Sequence, residues 1–119
     1  MYISENDKIV IRQLVEKQMQ AFQENDEDTA FALTSPTIQK RFQPKDFVAK
    51  IAAKYNPIIE PRSIMFRGFT LIEDFPALVY TIMDREGELN QGIFVMQHQP
   101  DYSWRIHGYE LLAMDKKII

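Results

Sequence analysis

Cysteine does not occur in this sequence. Its absence excludes disulfide frameworks, cysteine-ligated zinc and thiol nucleophiles together. No apolar run comes near the ~18 uninterrupted residues that a membrane span requires. The opening stretch MYISENDKIVIRQLVEKQ carries acids before any apolar run and has no small-residue cleavage site. Neither a signal peptide nor an anchor is therefore expected, and the expected location is cytoplasmic. Clustered basic residues are also wanting: the net charge is -3, which argues against nucleic acid as a partner. Internal repeats, linkers and low-complexity segments are missing as well. What remains is 119 residues, 45% hydrophobic and 26% charged. That is an ordinary globular balance, read as one domain over 1–119 that can bury a core without metal or cofactor.

The first half reads as helix. Ser4 followed by Asp7 has the spacing of an N-cap with an acid in the first turn. Ile11, Leu14, Val15, Met19 and Phe22 then recur on one helical face, predicting a helix over about 5–24. The acids of ENDED (24–28) are read as capping the next helix through Asn25 or Asp26. A calcium loop would need a turn glycine and a terminal glutamate that this stretch lacks. Ala30, Phe31 and Leu33 belong to a short helix ending near Ser35, and Ser35-Pro36 is a fresh N-cap with proline at the first helical position. Pro44 repeats the device for a helix in which Phe47, Val48, Ile51, Ala52 and Tyr55 share a face, closed by Asn56-Pro57. Lys45, Lys50 and Lys54 fall on its other faces and are read as solvated surface. The helical part thus covers about 4–56.

After Pro61 the composition turns to β-branched and aromatic residues. Runs at 63–73, 77–83, 89–99 and 103–112 are separated by turn chemistry: Glu73 to Pro76, DREGE with Gly87 available for a positive φ, and QPDY. Short connections in a row predict a four-stranded antiparallel meander over about 62–112. Helices followed by strands make an α+β fold with the helices on one face of the sheet. Strict alternation sets Ile64, Phe66 and Ile72 against Met65, Phe69 and Leu71, then Leu78, Tyr80 and Ile82 against Ala77, Val79 and Met83. Phe94 and Met96 similarly oppose Ile93 and Val95. Both faces are partly apolar, so either a strongly bent sheet buries different parts of both or the second face has a cover of its own, and a homodimer through that sheet face is the expected partner arrangement.

Candidate chemistry gathers in HQPDYSWRIHGYELL (98–112), which holds both histidines and the only tryptophan. A three-residue loop at 100–102 pairs His98 with Trp104 and sends His98 and His107 to opposite faces. A four-residue loop pairs His98 with Arg105 and brings the histidines to one face. Either way a third metal ligand is missing, so no metal is expected. Trp104 and Ile106 read as packing anchors, and Glu110 shares their parity. His107 shares parity with Tyr109 and Leu111 in mid-strand. An apolar pocket lined by Tyr55, Tyr80, Met96, His107 and Tyr109 is the candidate ligand site. The weak catalytic candidates are His107 and Glu110. RSIMFRGF and WRI interleave arginine with aromatics, a pattern for base stacking that the acidic balance outweighs.

AFQENDEDTAFALTSPTIQKRF, FVAKIAAKYNPIIEPRSIMF and MQHQPDYSWRIHGYELL together resemble a bacterial domain family of unknown function. That family is assigned to the nuclear transport factor 2-like, or cystatin-like, fold superfamily. The likeness covers roughly residues 13 to 112. It is carried by Ala21-Phe22-Gln23, Asp26, Ala30-Phe31, Ser35-Pro36, Phe42, Phe47, Tyr55, Pro57, Ser103-Trp104-Arg105-Ile106 and Gly108. Tyr109 departs from it, standing where the family more often carries cysteine. The resemblance implies helices packed into a curved antiparallel sheet, a pocket between the two and dimerisation through the sheet. It brings no catalytic residues. The expected role is non-catalytic binding of a small apolar ligand or a protein partner. The alternative is a small isomerase, dehydratase or hydrolase using a pocket histidine with a tyrosine or glutamate.

Overall fold

Ser4 and Asp7 form the capping box that opens helix α1 (Glu5–Gln23): the Asp7 amide donates to Ser4 Oγ at 3.0 Å, and the Ser4 amide donates to Asp7 Oδ2 at 3.4 Å. In the computed structural model, which describes residues 3–114, four further helices follow. Asp26 caps α2 (Glu27–Ala32) by accepting from the Thr29 amide, so the acids of that stretch serve a helix N-terminus. Ser35 caps α3 (Pro36–Arg41), and Pro44 opens α4 (Pro44–Lys54). Asn56-Pro57 does not end the helical part as expected. Proline sits in the first turn of one more short helix, α5 (Asn56–Ile59), where its missing N–H removes no bond.

Strands β1 (Ser63–Ile72), β2 (Phe75–Met83), β3 (Leu89–His98) and β4 (Trp104–Ala113) form an open antiparallel sheet in chain order. The chain is α+β, with α1, α2, α4 and α5 contributing to one core against one face of this sheet. Ile11, Val15, Met19 and Phe22 supply the α1 stripe, meeting Leu78, Tyr80, Ile82, Phe94 and Met96 from the central strands. A Cβ on Gly92 would lie 2.5 Å from Ile82 Cδ1, so any larger residue there would displace the buried Ile82 side chain.

Two bulges break the alternation on which the strand reading rested. In β1, Phe66 pairs with Tyr80 and Gly68 with Val79, which leaves Arg67 inserted; Gly68 takes φ +146°, a conformation that favours glycine. As a result Phe66 and Phe69 both face the helical core, 5.3 Å apart, while Ile72 joins the opposite face. In β4, Val95 pairs with Gly108 and Met96 with Ile106, so His107 is the extra residue. From there on the parity is reversed. Tyr109 and Leu111 pack on the helical core, whereas Glu110, opposite Ile93, is exposed on the outer face and does not share the side of Trp104 and Ile106.

The outer face carries a second apolar cluster, with Ala77, Ile93 and Val95 buried beneath Ile72, Phe75 and Val79. Among the described residues the helices all belong to the other side of the sheet.

The N-terminal cap is tied to the last strand. Trp104 Nε1 donates to Asp7 Oδ1 at 3.3 Å, across 97 residues of sequence. The Ser4 side chain first, and then the Trp104 indole, hold the Asp7 carboxyl below its ordinary value of 3.8. A carboxylate lowered in the folded state contributes stability above its unfolded pKa and loses it as pH falls through the folded pKa. The single tryptophan should therefore report a fluorescence change below about pH 4. That acid step is expected to shrink in Asp7→Asn; superimposable titrations of the two proteins would rule out the linkage.

Candidate functional site

β4 is an edge strand, and its outer edge is only partly covered by the chain. Leu33 to Ser35 lie along it as a short parallel bridge: the Ile106 amide donates to the Leu33 carbonyl at 2.9 Å, and the Ser35 amide donates to the Ile106 carbonyl at 2.8 Å. Gln39 Nε2 donates to the carbonyls of Phe31, Ala32 and Thr34, and Arg105 Nη1 donates to that of Ala32, which fixes this strap against the strand. Further along, Tyr55 Oη donates to the Tyr109 carbonyl at 3.2 Å. Between the strap and Tyr55 a cleft of about 250 Å³ opens beside His107, Gly108 and Tyr109, walled by α3 and α4.

The walls are apolar: Ile38 and Phe42 on one side, Phe47 and Ile51 from α4, then the rings of Tyr55 and Tyr109. Phe47 is buried and stands at the centre of an aromatic group, with Phe22, Phe31, Phe42 and Tyr109 at centroid distances of 5.7–6.4 Å. Arg41, Lys50 and Lys54 complete the lining and are exposed. The two lysines fall on adjoining turns of α4, beside the buried pair Phe47 and Ile51.

The proposed pocket residues divide. Tyr55, His107 and Tyr109 line the cleft. Tyr80 and Met96 do not, because both are fully buried in the core, and Tyr80 Oη donates to Glu16 Oε2 at 2.8 Å. Burial, and next the Glu16 carboxylate, push the Tyr80 phenol far up. Glu110 lies on the far side of the sheet, placed there by the bulge, and is not in the cleft. The residues that sequence reasoning passed over as cleft lining are Ile38, Arg41, Phe42, Phe47, Lys50, Ile51, Lys54 and Gly108. Phe47, Lys50, Ile51 and Lys54 could have been grouped from their helical spacing; that they meet β4 depends on contacts distant in sequence, Phe47 and Tyr55 with Tyr109.

The loop of the last hairpin takes the three-residue form, with His98 opposite Trp104 and the Gln99 amide donating to the Ser103 carbonyl. His98 stacks on Trp104 at 4.3 Å and is exposed. His107 instead lies 5.5 Å from the Phe75 ring, with Nδ1 2.9 Å from Ser35 Oγ. The two histidines share no contact partner in these interactions. The Ser35–His107 pair invites comparison with a nucleophile and its base. Ser35 is fully buried, however, and its Oγ already accepts from the Ile38 amide as the cap of α3. An oxygen so placed is shielded from a substrate carbonyl in the cleft.

Both cleft tyrosines are committed too. Tyr109 Oη donates to Gln18 Oε1 at 2.9 Å, and Gln18 Nε2 donates to the Ala30 carbonyl at 2.9 Å, a buried relay from β4 through α1 to α2. Burial drives the Tyr109 phenol far above its ordinary range, with the Gln18 contact opposing. Among the described residues no carboxylate lines the cleft. The arrangement offers apolar contact, cation charge and one imidazole.

Residues 4–119 match the family described as Domain of unknown function (DUF4864). No curated protein and no solved structure matches the chain.

Proposed function

The chain belongs to the DUF4864 family, a domain of unknown function, and we propose from its own geometry that it binds a small, largely apolar molecule without transforming it. The observation that carries this reading is the cleft itself, walled by Ile38, Phe42, Phe47, Ile51, Tyr55 and Tyr109 beside the edge of β4. The commitment of both tyrosine hydroxyls to protein partners favours binding over catalysis. A nuclear transport factor 2-like, or cystatin-like, assignment belongs to the same proposal, supported by helices on one face of a four-stranded antiparallel meander. So does a cytoplasmic location, which cell fractionation tests.

Binding to the native state raises the unfolding free energy by RT ln(1 + [L]/Kd), about 2.7 kcal/mol at a hundredfold excess over Kd. A thermal-shift screen of single-ring and short-chain compounds should return stabilising members. Their amide NMR shifts should centre on Phe47, His107 and Tyr109. A screen in which no compound perturbs those amides saturably would remove the proposal.

A second copy of the chain is proposed to cover the outer face, where Ile72, Phe75 and Val79 surround buried Ala77, Ile93 and Val95. Light scattering at micromolar concentration should give twice the chain mass. Val79→Lys, a charge at a partly buried position beside that cluster, should give the monomer mass with unchanged circular dichroism. A monomeric wild-type protein would end this part of the proposal.

A further inference from the structure

We propose that the ligand of this cleft is a small organic anion: a body of about one aromatic ring or a short acyl chain, bearing one carboxylate or similar charged group. This inference rests on the cleft being a ligand site and names the chemical class it selects. Arg41 ends α3, and Lys50 and Lys54 lie on adjoining turns of α4, so three cations come from two separate elements to one opening. Among the described residues no acidic side chain lines it. The ion pairs among the described residues are Lys8 with Glu5 and Arg12 with Glu16, both on α1, so the cleft cations have no carboxylate partner there. In a chain of net charge -3 this is a local reversal of sign.

Two of the cations also stand beside aromatic walls of the cleft. The Arg41 guanidinium stands 5.9 Å from the Phe42 ring centroid and the Lys54 ammonium 5.3 Å from that of Tyr55. Their stems can cover the rings at the opening while the charges stay exposed. A molecule with its body on Phe42, Phe47 and Tyr109 would meet positive charge at the exit, where an anionic head is attracted and a cation is opposed. The volume of about 250 Å³ sits below the range of roughly 300–1,000 Å³ usual for drug-sized ligands. That size matches the body of a substituted single ring.

The test compares phenylacetate with phenylacetamide, which match in shape and differ in charge, by amide NMR titration of the full chain. Phenylacetate should shift the amides of Phe47, His107 and Tyr109 with an affinity about tenfold or more above that of the amide, given three exposed cations. The margin should narrow in about 0.5 M NaCl. It should fall below about twofold in the triple variant R41Q/K50Q/K54Q, whose exposed positions leave the fold intact by circular dichroism. Equal affinity for the two compounds, or an undiminished preference in the triple variant, would overturn the anion inference while leaving the cleft as a binding site. Should neither compound nor any neutral member of the screen perturb the cleft, both the inference and the binding reading fall.

Discussion

Phe47→Ala is expected to lower the unfolding free energy by about 3–5 kcal/mol, the usual cost of truncating a buried phenylalanine. The site should fall toward the upper end of that range. Phe47 is 2% exposed and touches four other aromatic rings, so its removal takes partners from α1, α2, the C-cap of α3 and β4 at once. Aromatic pairs of this kind contribute about 0.5–1.5 kcal/mol beyond the area they bury. Against a total of about 5–15 kcal/mol for a typical domain, the variant should unfold at a much lower urea midpoint. Phe42→Ala is the control, since Phe42 is only half-buried at the cleft wall and should cost clearly less. If the two variants lose stability equally, Phe47 is not the centre of the aromatic group.

Gln18→Met should be nearly as damaging, by about 2–4 kcal/mol, although methionine has a similar shape and is more apolar. Gln18 is fully buried and uses both ends of its amide, accepting from Tyr109 Oη and donating to the Ala30 carbonyl. Replacing it strands two buried polar groups, each costing about 1–3 kcal/mol. Tyr109→Phe should cost about 1–3 kcal/mol for the same reason, because it leaves Gln18 Oε1 without its donor. The double variant Gln18→Met/Tyr109→Phe removes both partners of one bond and should be less unstable than the sum of the single changes. Additive losses in urea denaturation would show that the Tyr109–Gln18 bond carries no coupling.

The helical half was legible because its signals are local. Ser4 with Asp7, Ser35 with Pro36, and Pro44 each fix a helix start through a side chain or ring that acts within one turn. Strand order and the loop at 84–88 followed similarly from turn residues, with Gly87 at φ +83°. The faces of β1 and β4 were not legible, because alternation holds only while every residue has a partner. Arg67 and His107 are unpaired insertions whose own side chains give no sign of it. One such insertion moved Glu110 across the sheet and brought His107 to Ser35. Gln18 escaped notice for another reason: a polar residue on an apolar stripe reads as surface until its partners, 12 and 91 positions away, are seen. The cleft depended on the same kind of distant contact, since the strap at Leu33 to Ser35 and the Tyr55 and Phe47 contacts with Tyr109 bring α3 and α4 beside β4.

The bond from Trp104 to Asp7 and the one from Tyr109 to Gln18 join the two ends of the described chain. During synthesis, α1 leaves the ribosome with its stripe of Ile11, Val15, Met19 and Phe22 formed but with no sheet to lie on. At about 5–20 residues per second, several seconds pass before the last strand follows. Over that interval the nascent chain carries an uncovered apolar helix and a growing sheet with open edges, the condition in which holding chaperones bind. A chain released short of Trp104 would never leave it, so this fold is completed by its final hairpin.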